Sequence, residues 1–157
     1  MALLDQYREA VDKLFAKVRD TQTENIIKAG KMIADSIEQG GCIHLASICH
    51  YMEYDLIYRG GGPIFYKCFN YVLKVEDEVR KRDRSDIDQS IEGLAAYALK
   101  ASKIRPGDVL FVSSVSGRTR KVVDLAYEAK KVGVRVIDLS SMEYATQGEP
   151  VHSSAKN

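Results

Sequence analysis

The stretch Ser113-Ser-Val-Ser-Gly-Arg-Thr119 packs hydroxyl groups and a glycine into a short span. Set between a strand and a helix, it offers side-chain O–H donors and unpaired backbone N–H groups beside the positive end of a helix dipole. That is the composition of a phosphate or carboxylate cradle. Arg118, Arg120 and Lys121 fall where the first helical turn begins, a place where the dipole favours acids over bases. A bound anion would account for them; the plain alternative is a helix N-cap with solvated basic residues. No Gly-Lys-Ser/Thr follows at the spacing of a nucleotide-binding loop, and no G-x-G-x-x-G occurs. Gly60, Gly61 and Gly62 precede Pro63 after a helical stretch and read as a helix stop and turn. Cys42, His44, Cys49, His50 and Cys68 are donor types that bind metals, but their spacings fit no C-x-x-C or H-x-x-x-H pattern. No metal is therefore expected, with His44 placed mid-strand and Cys42 in the core. Cys49 and His50, being adjacent, rarely point the same way and make a weak nucleophile pair.

The elements that would carry these groups follow from periodicity. Leu4, Tyr7, Val11, Leu14, Phe15 and Val18 recur at spacings of three and four, which predicts a helix with one apolar face. Thr21-Gln-Thr-Glu24 has capping-box spacing and predicts the start of a second helix. In it Ile26, Ile27, Ile33 and Ile37 would form a buried stripe, ended by Gly40 and Gly41. Beyond residue 40, apolar strands alternate with amphipathic helices. Strands are predicted at 42–47, 64–72, 108–114 and 134–139. Helices are predicted at 51–59, from a Ser85 cap to about 102, and at 118–132, with residues from 140 onward as loop. Strand–helix–strand units joined by tight turns imply a parallel sheet covered on both faces. Ligands then bind at the C-terminal ends of the strands, where 47–50, 113–119 and 140–143 lie.

Composition narrows the function classes. The chain has 157 residues, 45% of them apolar and 29% charged, as in an ordinary globular protein. Lys plus Arg number 23 against 22 for Asp plus Glu, a net charge of +1 that gives no electrostatic case for nucleic acid or an anionic membrane. No apolar run approaches the roughly 20 residues of a membrane span. The acidic, interrupted N-terminus does not read as a signal peptide. Three cysteines, an odd number, argue for a reducing cytoplasm.

At Ser114-Val-Ser-Gly117 the sequence resembles the SIS (sugar isomerase) domain family. The resembling segment runs from Gly107 through Thr119 and resumes at Ala126-Tyr-Glu-Ala-Lys-Lys-Val-Gly-Val-Arg-Val-Ile137. Ser140-Ser-Met-Glu-Tyr144 is similar to the family's next turn. His152-Ser-Ser-Ala-Lys156 and Glu53-Tyr-Asp-Leu-Ile-Tyr-Arg-Gly-Gly62 are similar to segments of members related to phosphoheptose isomerase. The resemblance implies an α/β fold, a three-layer α/β/α sandwich with a parallel sheet of four to five strands. It divides the chain into an N-terminal helical segment, 1–40, packed on a phosphosugar-binding domain, 41–157. It implies a sugar phosphate held by Ser114, Ser116, Gly117 and Thr119, with Cys49 and Ser141 contributing. It also implies a homodimer or higher homo-oligomer, with neither cofactor nor metal. The family's first strand ends G-x-G-x-S, where this chain has Leu45, Ser47 and Cys49, so both glycines that admit a ligand to the backbone are replaced. The family acid on the following helix falls on Asp55.

Two function classes compete on this reading. An aldose–ketose phosphosugar isomerase would need a general base, for which His152, Asp55 and His50 are the candidates, with Glu53 and Glu143 further acid–base groups. A non-catalytic phosphosugar-binding module would need only the serine turn. The family pattern also calls for one strand more than the sequence offers, so the last sheet edge is expected to be covered by a second chain or by the tail.

Overall fold

The strongest strand signal in the sequence, the apolar run after Asp108, forms the centre of the sheet. A computed structural model describes residues 2–48, 52–76, 79–81, 83 and 91–154, leaving aside the side chains of Met52 and Glu53. Four strands, β1 (Ile43–Ala46), β2 (Tyr66–Phe69), β3 (Val109–Ser113) and β4 (Arg135–Leu139), form one sheet in the order β2-β1-β3-β4. Every neighbouring pair is parallel, with Ile43 opposite both Tyr66 and Val109, and Val109 opposite Arg135. All five residues of β3 are buried, as an interior strand covered on both faces requires. The edge strands β2 and β4 are largely half-buried or exposed. All four expected strands therefore form, and the chain has the α/β architecture expected of it.

The helices are α1 (Leu3–Glu38), α2 (Met52–Leu56), α3 (Leu94–Lys100), α4 (Arg120–Lys131) and a single turn, α5 (Met142–Ala145). Helix α4 follows from Val122, Val123, Leu125 and Ala129, which its pitch brings to one buried side. Val122, Leu125 and Ala129 join Ala46, Phe69, Ala95, Leu99, Leu110, Val112 and Val134 in one apolar cluster between the sheet and helices α3 and α4. Ile43, Leu45, Val109 and Phe111 point to the opposite face and are buried as well. No helix among the described residues is long and apolar enough to cross a membrane.

The chain divides into two compact units, residues 1–35 and 36–157. In the first, one continuous helix replaces the two helices expected, and no cap forms at Thr21. The hydroxyls of Thr21 and Thr23 donate instead to the carbonyls of Lys17 and Arg19, four residues back, at 2.8 and 2.5 Å. A threonine that bonds backward in this way is accommodated inside a helix and no longer caps one. Of the expected Ile stripe, Ile26 and Ile27 are exposed and Ile33 is half-buried, while Ile37, exposed, falls in the second unit. In the second unit α3 is shorter than expected, and Ser85 lies outside the described residues. Residues 142–145 form a helical turn where a loop was expected.

Candidate functional site

Strands β1 and β2 run to one side of the sheet and β3 and β4 to the other, so the order reverses between β1 and β3. The crevice at such a reversal, beyond the strand C-termini, is where open parallel sheets bind ligands. The turn after β3 stands there. Ser114 follows the last strand residue, and its N–H donates to Leu139 O of β4 at 3.1 Å. Its side chain is buried, and its hydroxyl pairs with Thr119 Oγ1 at 3.1 Å. Ser116 Oγ accepts the N–H of Arg118 at 3.2 Å. Gly117 closes the turn with its N–H on Ser114 O at 3.2 Å and takes a φ of 65°. That conformation favours glycine, and a Cβ there would stand 3.0 Å from Ala145 Cβ. Thr119 is the N-cap residue of α4, and its side chain makes no capping bond. Val122 and Val123 N–H groups bond back to Thr119 O, which opens the helix at this point. Ser141, the N-cap of α5, donates its N–H to Val115 O at 3.0 Å and so lays 140–145 beside the turn. Ser114, Ser116, Gly117 and Thr119 thus share one turn, with Ser141 on the segment beside it.

The basic residues of the first α4 turn are deployed differently from the expectation. Arg118 donates to Glu149 O at 3.0 Å and Arg120 to Val151 O at 2.9 Å, which ties the tail to α4. Lys121 donates to Tyr71 O at 2.8 Å, with its ammonium 4.5 Å from the Tyr71 ring centre. Burial lowers the Lys121 pKa, and burial together with the Asp124 carboxylate raises that of the Tyr71 phenol. These bonds to carbonyls account for the three cations without a ligand, although their charge still bears on the turn.

Of the acid–base candidates, Glu143 lies on α5 beside the turn, and His50 and the Glu53 side chain lie outside the described residues. Asp55 is exposed on α2. His152 is buried among α3, α4 and the tail. Its Nε2 lies 3.2 Å from Asp124 Oδ1, and its Nδ1 lies 2.8 Å from Ser154 Oγ and accepts the Ser154 N–H at 3.1 Å. Nδ1 as acceptor from a backbone N–H fixes the tautomer with its proton on Nε2, donated to Asp124. Cys49 lies outside the described residues too, as do Ala155 and Lys156.

Sequence reasoning missed the residue that organises this region. Asp124 is 2% exposed and accepts N–H bonds from Gly93 at 3.0 Å and Ala95 at 3.1 Å. It caps α3 from a neighbouring helix, where Gly93, the N-cap residue, has no side chain to do so. The visible signal was an acid set inside the apolar run Val122-Val-Asp-Leu-Ala126. Glu92 lies beside this group and accepts the Ser153 N–H at 3.0 Å. Bonds from Ser153 hold its carboxyl below the ordinary value, helped by the Arg120 guanidinium and the nearby His152 N–H and opposed by partial desolvation. Cys42, expected in the core, is exposed.

The profile of the SIS domain family matches residues 6–141. The chain belongs to the SIS domain family. It is 33% identical over 154 residues to a UPF0309 protein of Streptomyces avermitilis, covering 97% of this chain and 61% of the relative. A UPF0309 protein of Streptomyces coelicolor is 31% identical over 151 residues, covering 95% and 60%. The chain therefore spans about three fifths of the length of these curated relatives. Among solved structures, a phosphoheptose isomerase from Francisella tularensis superposes with a TM-score of 0.60 at 17% identity, over 92% of this chain and 77% of that one. A phosphoheptose isomerase from Neisseria gonorrhoeae gives 0.56 at 19% identity, over 90% and 80%. At such identities the likeness is one of fold.

Proposed function

We propose that this chain binds a sugar phosphate at the 114–119 turn and belongs to a phosphosugar isomerase of the aldose–ketose type. The observation that carries the reading is the gathering of the Ser114–Thr119 hydroxyl pair, Ser116 and the positive-φ Gly117 at the start of α4, at the sheet's reversal point. In this reading Ser116 and Thr119 touch the phosphate, and Ser114, bonded to Thr119, positions it. The first-turn N–H groups and the dipole of a 12-residue helix add to the attraction. The reading carries with it a homo-oligomer and a reducing cytoplasm.

A second reading, binding without turnover, is favoured by the engagement of both His152 ring nitrogens with Asp124 and Ser154. A base so held must leave its partners before it can take a proton from a sugar carbon.

Titration of a sugar-phosphate panel by calorimetry tests the site. Ser116→Ala and Thr119→Val should each weaken binding about 10–100-fold, the worth of one hydrogen bond to a charged group at about 1.5–3 kcal/mol. Unchanged affinity in both variants removes the turn from the site. Exchange of the C2 proton of a bound sugar phosphate with solvent deuterium, followed by NMR, separates the isomerase from the silent binder.

A further inference from the structure

At the opposite end of the sheet from the serine turn, three metal-ligating side chains converge. Cys42 and His44 are two residues apart at the start of β1, which puts them on one face of the strand. Val109 N–H donates to Cys42 O at 3.0 Å, which brings Asp108 beside Cys42 on the adjacent strand. One ligand atom from each of Cys42, His44 and Asp108 lies within 4.8 Å of the others. Asp108 is 1% exposed and the His44 side chain 12% exposed, whereas Cys42 opens to solvent.

We propose that Cys42, His44 and Asp108 form a binding site for one zinc-class divalent transition ion, with water in the fourth position. A sulfur, an imidazole nitrogen and a carboxylate oxygen form a mixed donor set suited to zinc, and three protein ligands with one open position is a recurrent zinc arrangement. Tetrahedral coordination at bond lengths of about 2.0–2.3 Å sets ligand atoms about 3.3–3.8 Å apart. His44 Nε2 and Asp108 Oδ2 already stand 3.2 Å apart. The remaining closure is at most about 1.5 Å, within reach of a χ1 adjustment of the exposed Cys42 side chain.

The carboxylate is oriented in advance. Cys42 N–H donates to Asp108 Oδ1 at 2.9 Å and Arg105 N–H to Oδ2 at 3.1 Å. Backbone donors of this kind aim a ligating carboxylate and leave its other lone pairs for an ion. On binding, the Cys42 thiol gives its proton to solvent, and His44, whose Nε2–H faces Asp108 Oδ2 in the metal-free chain, changes tautomer by exchange with solvent so that its single proton sits on Nδ1 and Nε2 is left to the metal. The thiolate and carboxylate together neutralise the doubly charged ion. The nearby guanidinium groups of Arg105 and Arg135 are turned to the carbonyls of Gly40 and Gly107. Nothing in this site overlaps the sugar-phosphate turn, so it stands whether or not that function does.

The test is titration of the chelator-treated chain with Zn2+ against a chromophoric chelator, and with Co2+ followed by absorption. The site predicts one equivalent per chain, and a thiolate-to-cobalt charge-transfer band in the near ultraviolet. Cys42→Ser and His44→Gln should each weaken Zn2+ binding by no less than the about 10–100-fold that loss of an outer-shell partner costs. Cys68→Ser, on β2, should leave binding unchanged. Circular dichroism of Cys42→Ser, whose side chain is exposed, confirms that the fold is retained. Absence of stoichiometric Zn2+ binding would overturn the proposal. So would a cobalt complex without the thiolate band, or affinity unchanged in Cys42→Ser and His44→Gln.

Discussion

Replacing Asp124 should be among the most damaging single changes this domain can suffer, and the structure sets the size of the loss. The carboxylate takes Gly93 N–H on Oδ1 and Ala95 N–H on Oδ2, while His152 Nε2 shares Oδ1. Hydrogen bonds to a charged group contribute about 1.5–3 kcal/mol each, but they are not additive within one network. Asp124→Ala removes the acceptor and strands two backbone donors at the start of α3. Breaking a buried charged network in this way costs about 3–5 kcal/mol. Against a total stability of about 5–15 kcal/mol, that is a large share. At about 2–4 °C per kcal/mol for a chain of this size, the melting temperature should fall by about 6–20 °C. Asp124→Asn is the sharper test because it is isosteric. The two N–H groups use different oxygens, so an amide serves one and turns its own NH2 toward the other. The loss should be no less than about 2 kcal/mol. Urea unfolding at constant m-value measures both variants, and a cycle with His152→Ala should yield a coupling of about 0.5–3 kcal/mol. An Asn variant within about 0.5 kcal/mol of wild type would refute the forked-cap reasoning, since that lies inside the scatter of ordinary surface changes.

Two further outcomes follow from the same neighbourhood. Gly117→Ala forces a Cβ into the left-handed region and to 3.0 Å from Ala145 Cβ. It should cost at least about 1–2 kcal/mol of stability by thermal unfolding, and it should weaken sugar-phosphate binding as 140–145 shifts. Glu92 has its folded pKa depressed below the ordinary 4.5. The folded state therefore binds fewer protons than the unfolded one in that interval, so this contribution is present above about pH 4.5 and is lost as pH falls through the folded value. Urea midpoints of wild type and Glu92→Gln should differ at neutral pH and converge in acid; a constant gap across that range would contradict the Ser153 contact.

Strand positions were readable because burial on both faces leaves an apolar signature that nothing else in this sequence imitates, as in Val109-Leu-Phe-Val112. The serine turn was readable because three serines, a glycine and a threonine crowd into seven residues between a strand and a helix. What misled was chemistry with two local solutions. Thr21 and Glu24 have the spacing of a cap, yet a threonine hydroxyl inside a long helix can bond to the preceding turn instead. Arg118, Arg120 and Lys121 sit where an anion would explain them, yet three backbone carbonyls from distant segments meet them first. Asp124 and Asp108 were opaque for the same reason: their partners, Gly93, Ala95, Cys42 and His44, come from other elements. Periodicity identifies which side of a helix is buried, but not which distant N–H waits there.

The strand order has a consequence for how the chain is made. Strand β1 pairs with β2, about two dozen residues on, but its other neighbour β3 is far along the chain, with Cys42 and Asp108 66 residues apart. Contacts of such separation form late, because closing the intervening loop costs entropy before any pairing compensates it. During synthesis the first half of the sheet therefore waits with an apolar edge, Ile43 and Leu45 included, until Val109–Ser113 has left the ribosome. A ribosome-bound chain halted before residue 109 should be the form most prone to aggregation and to capture by chaperones.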